Sequence, residues 1–231
     1  MDIVHVLNRG VDKRKIFLDD QDYFRFVHDL FEFNDKDSVN NVFSTFERKY
    51  NNNDVGRPNI YKYKVERKPR KMLVDILAFC LMPNHYHLLL TSKVQNGIAL
   101  FIKKLNGGYA KYFNARYERK GALFEGRYKK VMVEHEAHFI HLSYYIHLNP
   151  LDLIAPEWRE RKLNDFVKAI KFLDLYRWSS HLDYLGKKNF PSVTQRDFLL
   201  NFFGGQQEYK DDITDWLRKL SMEEVNHLIL E

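Results

Sequence analysis

Two apolar runs joined by a very short connection dominate the middle of the chain. Met72 to Leu81 is an apolar run, Pro83-Asn84 marks a turn, and Tyr86 to Thr91 resumes the apolar pattern. So short a connection between two strands predicts an antiparallel hairpin. The apolar character of the first run predicts a central strand covered on both faces. His85 and His87 stand in the second run at i and i+2, and residues so spaced project from the same strand face. Tyr86 and Leu88 then point to the opposite face, into packing. Two imidazoles side by side at a strand entrance are the start of a divalent-metal site. A hydrogen-bonded pair without metal is the competing reading.

A second constellation follows at Ser143-Tyr144-Tyr145-Ile146-His147-Leu148-Asn149-Pro150. Glu136 to His147 has no glycine or proline and reads as a helix, which Pro150 should end. Tyr145 and Asn149 are i and i+4 on it, one above the other. If the point they face lies between His85 and His87, two imidazoles and an amide oxygen hold a cation with open positions. A tyrosine oxygen then stands ready to attack a phosphate. Asn149 as a plain helix cap is the alternative. Tyr144 points about 100° away and belongs in packing. A free phenol has a pKa of about 10, so the metal or a base must help it. His141, at i−4 from Tyr145, is better placed for that than His147, although a packing role suits it better.

These residues carry a resemblance. Met82-Pro83-Asn84-His85-Tyr86-His87 followed by Tyr145-Ile-His-Leu-Asn149-Pro150 resembles the single-tyrosine HUH transposases, especially the branch of REP-associated tyrosine transposases. Three further stretches resemble that family: His5-Val-Leu-Asn8-Arg9-Gly10 with Ile16-Phe17, Gly121-Ala-Leu-Phe124-Glu-Gly-Arg127-Tyr128, and Tyr176-Arg-Trp178-Ser179-Ser180. The resemblance covers roughly residues 1–32 and 72–186. It implies His85, His87 and Asn149 as ligands of Mg²⁺ or Mn²⁺, and Tyr145 as the nucleophile. It also implies a covalent 5′-phosphotyrosine intermediate, and single-stranded DNA with hairpin structure as the partner. Tyr86 departs from the bulky hydrophobe usual between the histidines, and 33–71 looks like an insertion. A monomer is expected in preference to a homodimer. A catalytically idle nucleic-acid-binding protein on the same fold, or a phosphoesterase that uses water in place of Tyr145, are the rival readings.

The charge pattern agrees with a polyanionic partner. The 231-residue chain has net charge +6, and between Lys103 and Lys130 nine basic residues face two acidic ones, a local +7. Lys62 to Lys71 carries a further +5, whereas Gln207 to Glu231 is −4. Aromatic residues interleave with the cations, as in proteins that hold phosphates and stack unpaired bases; a solvated helix with a buried aromatic stripe is the plainer account. Candidate DNA contacts are Asn8, Arg9, Lys103, Lys104, Lys111, Arg116, Arg127, Lys129 and Lys130. The lone cysteine, Cys80, rules out an internal disulfide framework. No apolar run is long enough to span a bilayer and no secretory leader is evident, so a cytoplasmic protein is expected.

Periodicity gives the order strand, helix, strand, strand, helix, strand, helix. Asp2 to Leu7, the helix from Asp19, the hairpin, the helix Gly97 to Tyr117 and the strand Lys130 to Val133 supply it. This predicts an α+β, ferredoxin-like (RRM-like) antiparallel sheet with helices on one face and the histidine pair on the other, where the Tyr145 helix can cross it. Residues 1–150 form the expected catalytic domain, and 151–231 a helical C-terminal appendage.

Overall fold

The computed structural model describes residues 2–37, 69–133, 136–160, 162–219 and 230. The possible helix Phe43 to Tyr50, the strand Asn59 to Val65 and most of the supposed insertion lie outside the described residues. Four strands, β1 (Ile3–Arg9), β2 (Val74–Met82), β3 (His85–Ser92) and β4 (Lys129–Val133), form one antiparallel sheet in the order β2-β3-β1-β4. This is the ferredoxin-like arrangement. The hairpin is present, with Met82 opposite His85 and Cys80 opposite His87.

Side-chain alternation divides the sheet into two faces. Tyr86, Leu88 and Leu90 pack with Val4, Val6, Ile76 and Phe79 on one face. There they meet α1 (Asp20–Glu32) through Phe26 and Leu30, and α2 (Gly97–Arg116) through Phe101, Leu105 and Tyr109. Gly97 opens α2 where a Cβ would stand 2.2 Å from the Leu73 carbonyl oxygen, so only glycine lets the helix approach the sheet this closely. A register shift between Ile76 and Ala78 puts Leu77 and Ala78 together on the opposite face.

That opposite face is covered by α3 (Glu136–Leu148) and by the C-terminal chain. Pro150 stands just past the end of α3, where the backbone tightens into a 3-10 turn, Asn149–Leu153, followed by a second, Pro156–Glu160. Then come α4 (Phe166–Leu173), α5 (His181–Tyr184), α6 (Arg196–Phe203) and α7 (Gln206–Lys219). Leu199, Phe203, Tyr209 and Ile213 share one core with Tyr144, Ile146, Leu148 and the sheet residues Leu77, Cys80 and Leu89. The C-terminal helices, expected as an appendage, share a core with α3 and the sheet. The C-terminal chain also closes the free edge of β2: the Leu81 amide donates to the Trp178 carbonyl at 2.9 Å and the Ser180 amide to the Phe79 carbonyl at 3.0 Å. A bare edge strand offers unpaired backbone groups to other chains, and the Tyr176–Ser180 stretch removes that exposure here.

A buried polar chain joins α3 to these helices. The Ser180 hydroxyl meets His147 Nε2 at 2.7 Å, His147 Nδ1 meets the Tyr209 hydroxyl at 2.8 Å, and that hydroxyl meets His181 Nδ1 at 2.7 Å. Burial holds both imidazoles in the neutral form, pushing His147 well below its usual range and His181 down to about 4. The unfolded chain binds protons on these histidines below pH of about 6.5, whereas the folded chain does not. Stability therefore falls as pH drops from about 6.5 toward 4, and His181 alone accounts for about 2 kcal/mol by pH 5. Denaturant unfolding at pH 7 and pH 5 measures this, and His181→Gln should flatten the loss; equal stabilities at the two pH values refute it.

Candidate active site

β3 is the second strand from the β2 edge, paired on both sides, with His85 opposite Arg9 and His87 opposite Leu7 of β1. The two imidazoles share a face, with ring centroids 4.9 Å apart. α3 lies across that face, and the Tyr145 ring meets the His87 ring edge-on at 6.0 Å. His87, Tyr145 and Asn149 are fully buried and His85 nearly so. The spacing read in the sequence thus does bring the histidine pair and Tyr145 together.

Each histidine is oriented through Nδ1. His85 Nδ1 lies 2.7 Å from the side-chain oxygen of Asn84, whose amide nitrogen donates to the Lys13 carbonyl. That oxygen can only accept, so Nδ1 carries the proton and Nε2 the lone pair. His87 Nδ1 lies 2.9 Å from Nε2 of His5, and the two rings stack at 5.2 Å. Holding one ring nitrogen so that the other can ligate is how metal-binding histidines are set. His5 was missed at the level of sequence, although Val4 and Val6 on the opposite face place it on the His87 side by alternation. Among the described residues, no three His, Cys, Asp or Glu side chains converge on one point. The two imidazoles share the face under α3, and the third donor expected from the sequence, the Asn149 amide oxygen, is positioned by Arg159.

Of the two readings made of Asn149, the structure shows the helix cap. Its nitrogen donates to the Tyr145 carbonyl at 2.9 Å, capping α3, while its oxygen accepts from Arg159 at 3.0 Å. Arg159 also donates to the Tyr145 hydroxyl oxygen at 2.7 Å. Its guanidinium is gripped by Asp152, with contacts of 2.8 Å from Nε and 2.6 Å from the other terminal nitrogen, and Asp152 accepts from the Trp158 indole as well. Nothing in the periodicity of the chain marks Arg159 or Asp152, because both sit in 3-10 turns.

The rival groups are placed elsewhere. The Tyr144 hydroxyl donates to Asp212 at 3.3 Å within the C-terminal core, and burial pushes its phenol well above the ordinary range. His141 stacks on Trp216 and lies beside Tyr144. His147 is part of the buried chain to Ser180 and Tyr209.

Residues 38–149 match the family described as IS200-like transposases. Over these residues, just under half of its length, the chain is similar to the IS200-like transposases. A solved REP-associated tyrosine transposase bound to a REP hairpin is similar at 13% identity and a TM-score of 0.43, over 84% of this chain and 88% of that one. No curated protein matches.

Of the nine basic and polar residues read as DNA contacts, four are engaged by the protein itself, among them Lys129, whose ammonium donates to the Leu230 carbonyl at 3.2 Å. Asn8 is 3% exposed and its oxygen accepts from the Arg9 amide. The Lys104 ammonium donates to the carbonyls of Asp35 and Asp37 beyond the end of α1. Arg116 bridges Asp19 and Asp22, with two contacts of 2.6 Å. By contrast, Lys103, Arg127 and Lys130 line an open groove of about 570 Å³ with Asn106 and Tyr128. Lys129 and Lys130 sit opposite Leu7 and Val6, so these neighbours project from opposite faces of the edge strand. Arg9 lies on the face of His85, and Lys111 is exposed on α2.

The Arg116 cluster is a structural device. Buried Asp22 accepts from the Leu18 amide, Arg116, Tyr112 and Tyr117, which pins the start of α1 to the end of α2. Asp22→Ala should destabilise the fold by about 3 kcal/mol, because it strands these donors in a buried site. Lys111→Ala should change stability by less than about 0.5 kcal/mol. Denaturant midpoints of the two variants test the contrast.

Proposed function

We propose that this chain is a metal-dependent single-stranded DNA endonuclease and strand transferase that works through a covalent 5′-phosphotyrosine on Tyr145, probing DNA hairpins as its substrates. The observation that carries the reading is the meeting of Tyr145 with the His85/His87 pair under α3, in a chain similar to the IS200-like transposases. His85, His87 and Asn149 would hold Mg²⁺ or Mn²⁺. Such an ion supplies Lewis-acid polarisation of the scissile phosphate and needs no redox chemistry.

The chain's own groups do the rest. Tyr145 Oη attacks phosphorus, the bond to the 3′ oxygen breaks, and a free 3′-hydroxyl is left. The phosphodiester is conserved in the tyrosine ester, so a 3′-hydroxyl can later take the phosphorus back without a nucleotide cofactor. His5 and Asn84 keep the imidazoles oriented. The hairpin lies along the β4 edge, where Lys103, Arg127 and Lys130 face one side and Lys129 and Arg9 the other, so that cations flank the DNA backbone as it passes from the groove toward Tyr145. Phosphate contacts of this kind make affinity fall steeply with salt.

The test uses labelled single-stranded hairpins from the sequences flanking the gene, incubated with Mn²⁺ or Mg²⁺ and run on a denaturing protein gel. Wild type and Tyr144→Phe should give a shifted, labelled protein band, and Tyr145→Phe none. Cleavage without any adduct would identify water as the nucleophile, and binding without cleavage would leave an idle DNA-binding protein. Separately, His5→Ala should weaken Mn²⁺ binding by about 10- to 100-fold, as loss of a partner behind a metal ligand does. Calorimetric titration of the free protein measures this without DNA, and unchanged affinity counts against the metal site.

A further inference from the structure

We infer that Arg159 is a catalytic residue of the Tyr145 reaction, the cation that stabilises negative charge on Oη as the phosphotyrosine bond forms and as it breaks; this rests on the function proposed above. Three observations carry it. The guanidinium donates directly to the oxygen that would bond to phosphorus, at 2.7 Å, and the same group donates to the Asn149 oxygen at 3.0 Å. One rigid fork therefore spaces the nucleophile and a proposed metal ligand relative to each other. Arg159 is itself held by Asp152, through Nε at 2.8 Å and a terminal nitrogen at 2.6 Å. Both side chains are 23% exposed, so solvent competes only partly for these contacts. Finally, the guanidinium lies 5.1 Å from the centre of the Tyr145 ring and 5.2 Å from that of Trp158, which confines it to the mouth of the site.

The charge changes on Oη explain why a fixed cation belongs there. In cleavage the Oη–P bond forms and the P–O3′ bond breaks. The phenolic proton passes to solvent, and the 3′ oxygen takes a proton from solvent. In strand transfer a 3′-hydroxyl oxygen bonds to phosphorus and gives its proton to solvent, while the P–Oη electron pair returns to Tyr145. The oxygen passes through a state of increased negative charge in both directions. A donor already in place and already charged meets that change with no reorganisation. Arg159 keeps all its protons throughout, and Asp152 balances its charge so that a metal ion can sit nearby at lower electrostatic cost.

The experiment compares single-turnover adduct formation and strand joining in wild type, Arg159→Ala, Arg159→Lys and Tyr145→Phe, each first checked for folding by circular dichroism. Arg159→Ala should slow both steps by about 100-fold at saturating DNA, with little change in the half-saturating DNA concentration. Added guanidinium at millimolar concentration should restore part of the rate, while equal urea or sodium chloride should not. Arg159→Lys keeps the charge and loses the fork, so it should fall between wild type and Arg159→Ala, and it serves as the test if the alanine variant does not fold. A variant as fast as wild type overturns the inference alone. So does a faster one, since Arg159 would then be a latch over a closed site, and so does a slow one that guanidinium leaves unchanged. Wild type that forms no adduct on any hairpin overturns the function itself and this inference with it.

Discussion

Strand β3 is paired on both sides and covered on both faces, and the rest of the molecule is arranged around that constraint. Its side chains must alternate between two cores, so Tyr86 and Leu88 enter the layer under α1 and α2, while His85 and His87 enter the layer under α3. An imidazole sealed beneath a helix needs its polar atoms met. Asn84 and His5 meet the Nδ1 atoms. The same burial that makes these partners necessary also fixes which nitrogen of each ring faces the reaction. A helical location would give two histidines the same proximity at i and i+4, but not this rigidity across a sheet with a neighbour on each side.

The second face of the sheet carries the proposed site, and what covers it decides where Tyr145 stands. α3 alone is a poor lever, since its apolar residues are spread around it and do not form one stripe. It is fixed by what lies above it: Tyr144 bonds Asp212 and packs on Phe203, and His147 binds Tyr209 and Ser180. Ser180 also accepts from the Phe79 amide, which ties the helix through one hydroxyl to the edge of the same sheet that bears the histidines. The C-terminal helices thus act on the proposed site by orienting the face of α3 that carries Tyr145.

Much of this was legible in the sequence because it rests on period and spacing. The hairpin, the histidine pair on one face, Tyr145 and Asn149 one turn apart, and the stop at Pro150 all follow from local geometry. Helix and strand boundaries came within a few residues for the same reason. The side chains that complete the site were hidden because they depend on tertiary contacts. His5 lies 82 residues from His87, and Arg159 reaches Tyr145 from an irregular turn. Charge was the least transferable signal. Arg116 and Lys104 belong to the same basic run as Lys103 and Lys111, but a helix presents its residues around its whole circumference. Those two fall on the flank beside α1, where the Asp19–Asp22 carboxylates and the carbonyls past Phe33 await them.

That distinction bears on how a basic helix is to be read at all. A net charge of +7 over a segment measures attraction to polyanions only if the cations are not already neutralised within the fold. Here the acidic start of α1 takes up Arg116, while Lys103 and Lys111 stay exposed on α2 and Lys129 and Lys130 on β4. At the β4 edge, Lys129 and Lys130 straddle the sheet. A strand is well suited to this role: two adjacent lysines on it must point to opposite faces, so a flexible polyanion turning around the edge meets positive charge before and after the turn. The pairing of β4 with β1 then places that edge one strand away from β3 and its histidines.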